Sequence, residues 1–164
     1  MLETQKVTHL FLSRQFGRSY RVIKSLNGRY LAELGYDDFK IGHCMAMLNL
    51  EDEGITAVEI AKKVNVSKQA MSKLIQELIE KGFVRAVKHP LDHRATLIRS
   101  TESGKKFLEV LMIVRKKVEN EISQVIGVEK LNQLHLILRE ILDYYEQVPG
   151  LDLHNESIVN TRLT

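Results

Sequence analysis

The chain has 164 residues, 44% of them hydrophobic and 27% charged, with a formal net charge of +3. That balance excludes a wholly disordered chain and predicts one domain, or one domain with a helical extension, long enough to bury a core. Two prolines and nine glycines leave little room for an all-β fold, and a lone cysteine, Cys44, excludes an intrachain disulfide and a multi-cysteine zinc site. No apolar run approaches the ~18 residues of a membrane span. The opening Met1-Leu2-Glu3-Thr4-Gln5-Lys6 lacks the basic-then-apolar order of a secretory signal, so a cytoplasmic protein without a membrane partner is expected.

The charge is unevenly spread. Residues 1–34 carry +4, residues 35–53 carry −4, residues 54–100 carry +5 and residues 101–164 carry −2. The basic block in mid-chain suggests a polyanion-binding surface; the alternative is a merely solvated face.

In chain order, residues 5–34 place Val7, Phe11, Phe16, Tyr20, Ile23, Tyr30 and Leu34 at mostly three- and four-residue steps. This predicts a long amphipathic helix that stops at Gly35. Asp37 or Asp38 is the expected cap of a second helix, from Phe39 to about Leu50. Thr56-Ala57-Val58-Glu59 has the capping-box pattern, in which a hydroxyl and a carboxylate three residues apart satisfy the first orphan amides. A short helix follows, with Val58, Ile60, Ala61 and Val64 apolar, broken at Asn65-Val66-Ser67. Ser67 is the expected cap of the next helix, Lys68 to about Lys81, ending at Gly82. Met71, Leu74, Ile75, Leu78 and Ile79 form its buried stripe, and Lys68, Gln69, Ser72, Lys73 and Gln76 fall opposite.

Two helices joined by so short a turn make a helix-turn-helix. The outward set carries cations, amides and hydroxyls and meets no carboxylate until Glu77, so it suits phosphates and base edges in a major groove. The bland alternative is a solvent-facing helix of an ordinary bundle, which usually mixes acids among the bases. Phe83–Lys88 and Ala95–Arg99 are β-prone and flank His89-Pro90-Leu91-Asp92-His93-Arg94, a composition suited to a hairpin loop. A helix-turn-helix followed by a hairpin is a winged helix. Its basic loop, with Lys88, His93 and Arg94, suits phosphates or a narrow minor groove.

These residues resemble the MarR family of bacterial transcription regulators. The matching run is Ser67–Val84, a Ser-capped recognition helix closing in Leu78-x-x-x-Gly82-Phe83-Val84. The Asp92-His93-Arg94 wing and Thr101-Glu102-Ser103-Gly104 follow in the family's order and spacing. The resemblance covers about 39–104. Two positions depart from it: Lys73 stands where the family often has arginine, which replaces a two-bond fork to guanine by a point charge, and Ser100 stands where leucine is usual. The resemblance implies a recognition helix in the major groove, Arg94 in the minor groove and Asp92 holding the wing in shape by ion pairing. The bland alternative for the last two is a surface salt bridge.

Beyond the wing, Phe107, Leu111, Val114, Val118, Ile122 and Val125 share one stripe, and Leu131, Leu134, Leu138, Ile141, Tyr145 and Val148 another. Spacing near 3.5 residues marks a helix-packing seam, between subunits or within one chain. Family members pair their first and last helices between subunits, and a two-fold dimer would let one recognition helix per chain read half a palindrome.

No nucleotide-binding, metalloprotease or serine-hydrolase motif occurs, so no enzyme and no cofactor is expected. His89-x-x-x-His93 has a metal-like spacing, but in a wing loop phosphate contact is favoured. Zinc-sensing family members pair histidines in the helix after the wing. None occurs between Glu102 and Val125, so no metal site is expected. Peroxide-sensing members carry a cysteine near the start of the first helix. Cys44 lies in the second, where an inert small hydrophobe is the favoured reading and a redox role the lesser one. The family's effector pocket lies between the dimer helices and the winged domain and often takes aromatic acids. Arg14, Arg18, Tyr20, His43, Met45 and Met47 are candidate lining residues; the alternative is that the methionines are core and the arginines solvated.

The expectation is therefore a mainly α fold: a winged helix-turn-helix with a two-stranded β-wing, embedded in a helical dimerisation domain. The boundaries are a dimerisation helix at 1–36, the DNA-binding domain at 37–100, dimerisation helices at 101–148 and a loose tail at 149–164. The expected function is a homodimeric regulator, a repressor in type. It binds a palindromic operator in double-stranded DNA through Ser67, Lys68, Gln69, Ser72, Lys73, Gln76, Lys88, His93 and Arg94, and responds to a small aromatic or phenolic effector. The alternative is a helical interaction protein whose basic face binds a protein or an RNA.

Overall fold

A computed structural model describes residues 11–90 and 95–148. Six helices and one hairpin follow in order: α1 (Leu12–Glu33), α2 (Ile41–Leu48), α3 (Ala57–Lys63), α4 (Lys68–Glu80), β1 (Val84–Lys88), β2 (Thr96–Ser100), α5 (Glu102–Ile126) and α6 (Val128–Glu146). None of the described helices is long and apolar enough to cross a membrane.

The strands pair antiparallel, with Val84 opposite Ser100 and Lys88 opposite Thr96. Ile55 adds a single bridge to Ile98, which ties the loop before α3 to the hairpin. The core lies where α2, α3, α4, the hairpin and the first half of α5 meet. Met47, Ile60, Met71, Leu78, Phe107 and Val114 are its largest fully buried apolar side chains. Tyr36, Phe39, Phe83 and Phe107 interlock at one edge, with Phe39 and Phe107 centroids 4.3 Å apart. Such ring pairs add specific geometry to ordinary apolar burial.

The Thr101-x-x-Gly104 motif has a local mechanical reason. Thr101 Oγ1 accepts the Gly104 N–H at 3.1 Å and so caps α5. The same hydroxyl lies 2.7 Å from the Gly82 carbonyl, and the Thr101 N–H donates to the Phe83 carbonyl at 3.0 Å. That carbonyl packs so closely on Gly104 that an added Cβ would collide with it. Ser100 is half-buried and its hydroxyl donates to the Thr101 carbonyl at 3.2 Å, so a polar bond stands where the family's leucine would pack.

Three expectations need correction. The second helix starts at Ile41, not Phe39, and Lys40 rather than Asp37 or Asp38 is its N-cap. The Lys40 N–H donates to His43 Nδ1 at 3.1 Å, while the Asp38 carboxylate is drawn off to Lys81 and Phe39 joins the ring cluster. The α5 stripe is spent inside the chain: Phe107, Leu111, Val114 and Val118 are buried against the winged core, and Val125 is 82% exposed. The α6 stripe splits, with Leu131 buried, Leu138 half-buried and Leu134, Ile141 and Tyr145 exposed. The first helix is described from Leu12, so its expected start at residue 5 lies outside the described residues, as do the tail and Leu91 to Arg94.

Candidate nucleic-acid interface

The interface is built from the α3–turn–α4 unit. Thr56 Oγ1 accepts the Glu59 N–H at 3.2 Å, and Glu59 Oε2 accepts the Thr56 N–H at 2.9 Å, which completes the expected capping box. The Thr56 hydroxyl, 2.7 Å from Glu59 Oε2, and then the Thr56 N–H hold the Glu59 carboxyl below its usual range. The turn needs one left-handed residue. Asn65 supplies it, with φ at 53°, and the Val66 N–H closes onto the Ala61 carbonyl at 3.0 Å. Ser67 Oγ then caps α4 by accepting the Ala70 N–H at 3.1 Å.

One face of α4 is core: Met71, Ile75 and Leu78 are buried. On the opposite face Ser67, Lys68, Gln69, Ser72, Lys73 and Gln76 are all exposed. Lys68 and Lys73 form no ion pair with a described residue, whereas the Gln76 amide donates to Glu80 at 3.0 Å. Glu77 does not sit on this face. Its carboxylate turns inward to Lys40 Nζ and His43 Nε2, both at 2.8 Å, and the two bonds lower its pKa. The acid nearest the outward face is therefore Glu80. A second clamp, Lys81 to Asp38, holds the C-terminal end of α4 and keeps Asp38 below the usual carboxylate range.

The hairpin follows directly. Lys88 is exposed at the end of β1, and the His89 N–H donates to the Ala95 carbonyl at 3.1 Å across the base of the wing loop. Arg99 is committed to the fold: its guanidinium donates to the Glu53 carbonyl at 2.9 and 2.6 Å. Arg85 lies opposite it on β1, exposed, and sequence reasoning passed it over because strand alternation alone does not separate a DNA-facing arginine from a solvated one. Asp92, His93 and Arg94 lie outside the described residues.

The expected effector residues do not gather. His43 and Met47 are fully buried in the winged core, while Arg14, Arg18 and Tyr20 are exposed on α1. A different set encloses an apolar cavity of about 320 Å³ between α1, α2, α5 and α6, including Cys44, Met45, Met112, Ile122, Leu134 and Leu138. Met45 alone carries over from the expected set. Arg115 and Glu119 supply the charged groups and His135 an imidazole, and Arg115 Nε already donates to Glu119 at 2.7 Å. Burial pushes the Cys44 thiol up to about 11. Among the described residues no group of three or more His, Cys, Asp or Glu side chains is placed to hold a metal ion.

Residues 38–95, which span the whole helix-turn-helix and reach the second strand, match the model of the MarR family. Over this stretch the chain is similar to the MarR family. The transcriptional repressor YetL of Bacillus subtilis is 32% identical over 80 residues, 49% of this chain and 48% of that protein. The multiple antibiotic resistance protein MarR of Escherichia coli is 26% identical over 89 residues, 54% and 62% of the two chains. The chain thus spans about half to three-fifths of the length of these curated relatives. The crystal structure of wild-type apo MarR from E. coli superposes with a TM-score of 0.69 at 22% identity, covering 80% of this chain and 96% of that one. The fold is accordingly the mainly helical MarR winged helix with a two-stranded sheet. CouR from Rhodococcus jostii RHA1, solved bound to p-coumaroyl-CoA, superposes with a TM-score of 0.62 at 18% identity, covering 80% and 91%.

Proposed function

We propose that this chain is a MarR-type regulator: a dimeric, sequence-specific DNA-binding transcription regulator of the repressor type, cytoplasmic, that acts on a palindromic site. The observation that carries the reading is the division of α4: one face locked in the core, the other exposing Ser67, Lys68, Gln69, Ser72, Lys73 and Gln76. Amide and cationic groups on a rigid helix can bond base edges, while Lys68 and Lys88 can hold phosphates. YetL and E. coli MarR, by their names a transcriptional repressor and a resistance protein, support the same reading. In it, residues 37–100 bind DNA, and the flanks 1–36 and 101–148 pair two chains. The two recognition helices then meet half-sites ~10 base pairs apart. The tail 149–164 has no assigned part.

The wing completes the reading. Arg94 enters the narrow minor groove, where negative potential is concentrated, with Asp92 ordering the loop and His93 beside it. The apolar cavity is the site for a small aromatic or phenolic effector that releases DNA, a reading supported by the CouR complex. Cys44 is a structural hydrophobe in this scheme, since a thiol pushed up to about 11 is protonated and unreactive at neutral pH.

Selection from random duplex DNA tests the function. A palindromic motif bound with a steep salt slope is expected. Failure of the folded, ligand-free protein to enrich any duplex motif overturns it in favour of a basic face for protein or RNA. On the selected site, Gln69→Ala or Lys73→Ala is expected to cost about 1–3 kcal/mol and far less on random DNA. Arg94→Ala is expected to weaken binding strongly and to reduce the preference for A/T-rich flanks while leaving dimerisation and thermal stability nearly unchanged. Unchanged affinity and unchanged flank preference would remove the wing from the interface.

A further inference from the structure

His43 is fully buried in the winged core, yet both of its ring nitrogens are engaged. Nδ1 accepts the Lys40 N–H at 3.1 Å, so Nδ1 carries no proton. The ring proton is therefore on Nε2, 2.8 Å from Glu77 Oε2, and is donated to that carboxylate. Glu77 Oε2 also accepts Lys40 Nζ at 2.8 Å. One side chain thus ties the start of α2 to the recognition helix α4, about two turns from the exposed Gln69 and one turn from Lys73. The other groups facing this arrangement are Lys81 at the C-cap of α4, Asp38 in the loop before α2, and the Phe39 ring, 5.5 Å from the imidazole.

We propose that His43 is a positioning residue for DNA recognition: its neutral, Nε2-protonated ring fixes the seat of α4 on α2 through Glu77, and a proton added at Nδ1 releases that seat. The inference rests on the DNA-binding reading for its functional half. The physical reason is that the Lys40 N–H needs an acceptor. Protonating Nδ1 turns that acceptor into a donor, so two N–H groups face each other at the N-terminus of α2 in a buried place. The imidazolium would gain attraction from Glu77, but Lys40 and Lys81 oppose it and burial outweighs it, so the His43 pKa is lowered. DNA that grips α4 in its seated position binds the neutral form more tightly. By reciprocity, acidification weakens binding and bound DNA pushes the His43 titration lower still.

The test uses the full chain and the duplex recovered by selection, at pH 7.5 and 5.5, with the parent, His43→Gln and Glu77→Ala. A glutamine amide can accept from Lys40 and donate to Glu77 without titrating. His89 and His93 are present in every variant, so the ratio between parent and variant isolates position 43. The parent is expected to lose at least roughly fivefold more affinity than His43→Gln on going to pH 5.5, a coupling at the low end of ordinary allostery. Equal pH dependence of the two overturns the proposal. Two readouts work without DNA. Nitrogen NMR of the His43 ring is expected to show the Nε2–H tautomer, and the Nδ1–H tautomer overturns the assignment. In Glu77→Ala, amides of Lys68–Glu80 are expected to exchange faster while those of Glu102–Ile126 keep the parent's protection; a uniform change, or none, shows that Glu77 does not seat α4. If the parent binds no duplex at either pH, the DNA reading fails by itself, and these two measurements still decide whether His43 holds α4.

Discussion

The winged region and the flanking helices spend their apolar residues in opposite ways. Between Cys44 and Val118 most of the large apolar side chains turn inward, and Met47, Ile60, Met71, Leu78 and Phe107 retain no exposed surface, with Leu48, Met112 and Ile113 the main exceptions. On α1 the opposite holds: Phe11, Leu12, Phe16, Tyr20 and Ile23 all stand in solvent, and α6 adds Leu134, Ile137, Ile141, Leu142, Tyr144 and Tyr145. The first region closes a core by itself. The second leaves these apolar side chains uncovered within one chain. The α5 helix belongs to both, packing its Phe107–Val118 stripe into the core and supporting α1 and α6 at its far end.

The sharpest way to break this comparison is to remove one member of each region. Phe107→Ala is expected to destabilise the fold by about 3–5 kcal/mol, read from urea unfolding, because a fully buried ring leaves a cavity that its Tyr36 and Phe39 neighbours cannot fill. Ile141→Asp, on the open face of α6, is expected to leave the unfolding of the winged core nearly unchanged. It should raise the concentration for subunit dissociation by roughly tenfold or more, as loss of one buried aliphatic contact implies. Sedimentation at several concentrations reads this, and an unaltered assembly state would show that α6 is not the covered face.

Smaller effects sharpen the picture inside the winged region. Thr56→Ala deletes the capping hydroxyl of α3 and is expected to cost about 1 kcal/mol in the same unfolding experiment. Acid is expected to act in two steps. His43 has a folded pKa below its ordinary value of 6.5, so its contribution is complete above that pH and is lost as pH falls below it. Glu77 and Glu59 are held below the ordinary 4.5 by Lys40 and Thr56, and their contribution is lost only as pH falls past that value. A urea midpoint followed from pH 7 to 4 checks this, and His43→Gln is expected to flatten the upper step alone.

Much of the winged region was legible because its signals are local. Thr56 and Glu59, or Ser67 and Ala70, lie within one turn of each other, so the hydroxyl that caps a helix is visible beside the amide it serves. The α4 stripe and the hairpin flanking Pro90 follow from period and turn chemistry in the same way. Local signals failed where a distant partner competed. Asp38 had the right chemistry to cap α2, but Lys81 took its carboxylate. Glu77 read as the first acid on the exposed side of α4, yet Lys40 and His43 drew it inward from another helix. The same holds for where the effector candidates lie. Residue types suited to a pocket were scattered along α1 and α2, and packing sent His43 and Met47 into the core while α5 and α6 supplied the cavity wall.

By itself the sequence determined the helix and strand order, the caps that start α3 and α4, and which side chains share a face. Each of these depends on residues a few positions apart along the backbone. Only the tertiary structure decided what each face meets. Phe107, Leu111, Val114 and Val118 have the spacing of a seam between subunits, yet they lie inside one chain, and the α6 stripe with a similar spacing stands largely open. Periodicity says which residues point the same way. What lies in that direction depends on how segments far apart in the chain fill space together, and that is settled only when the core closes.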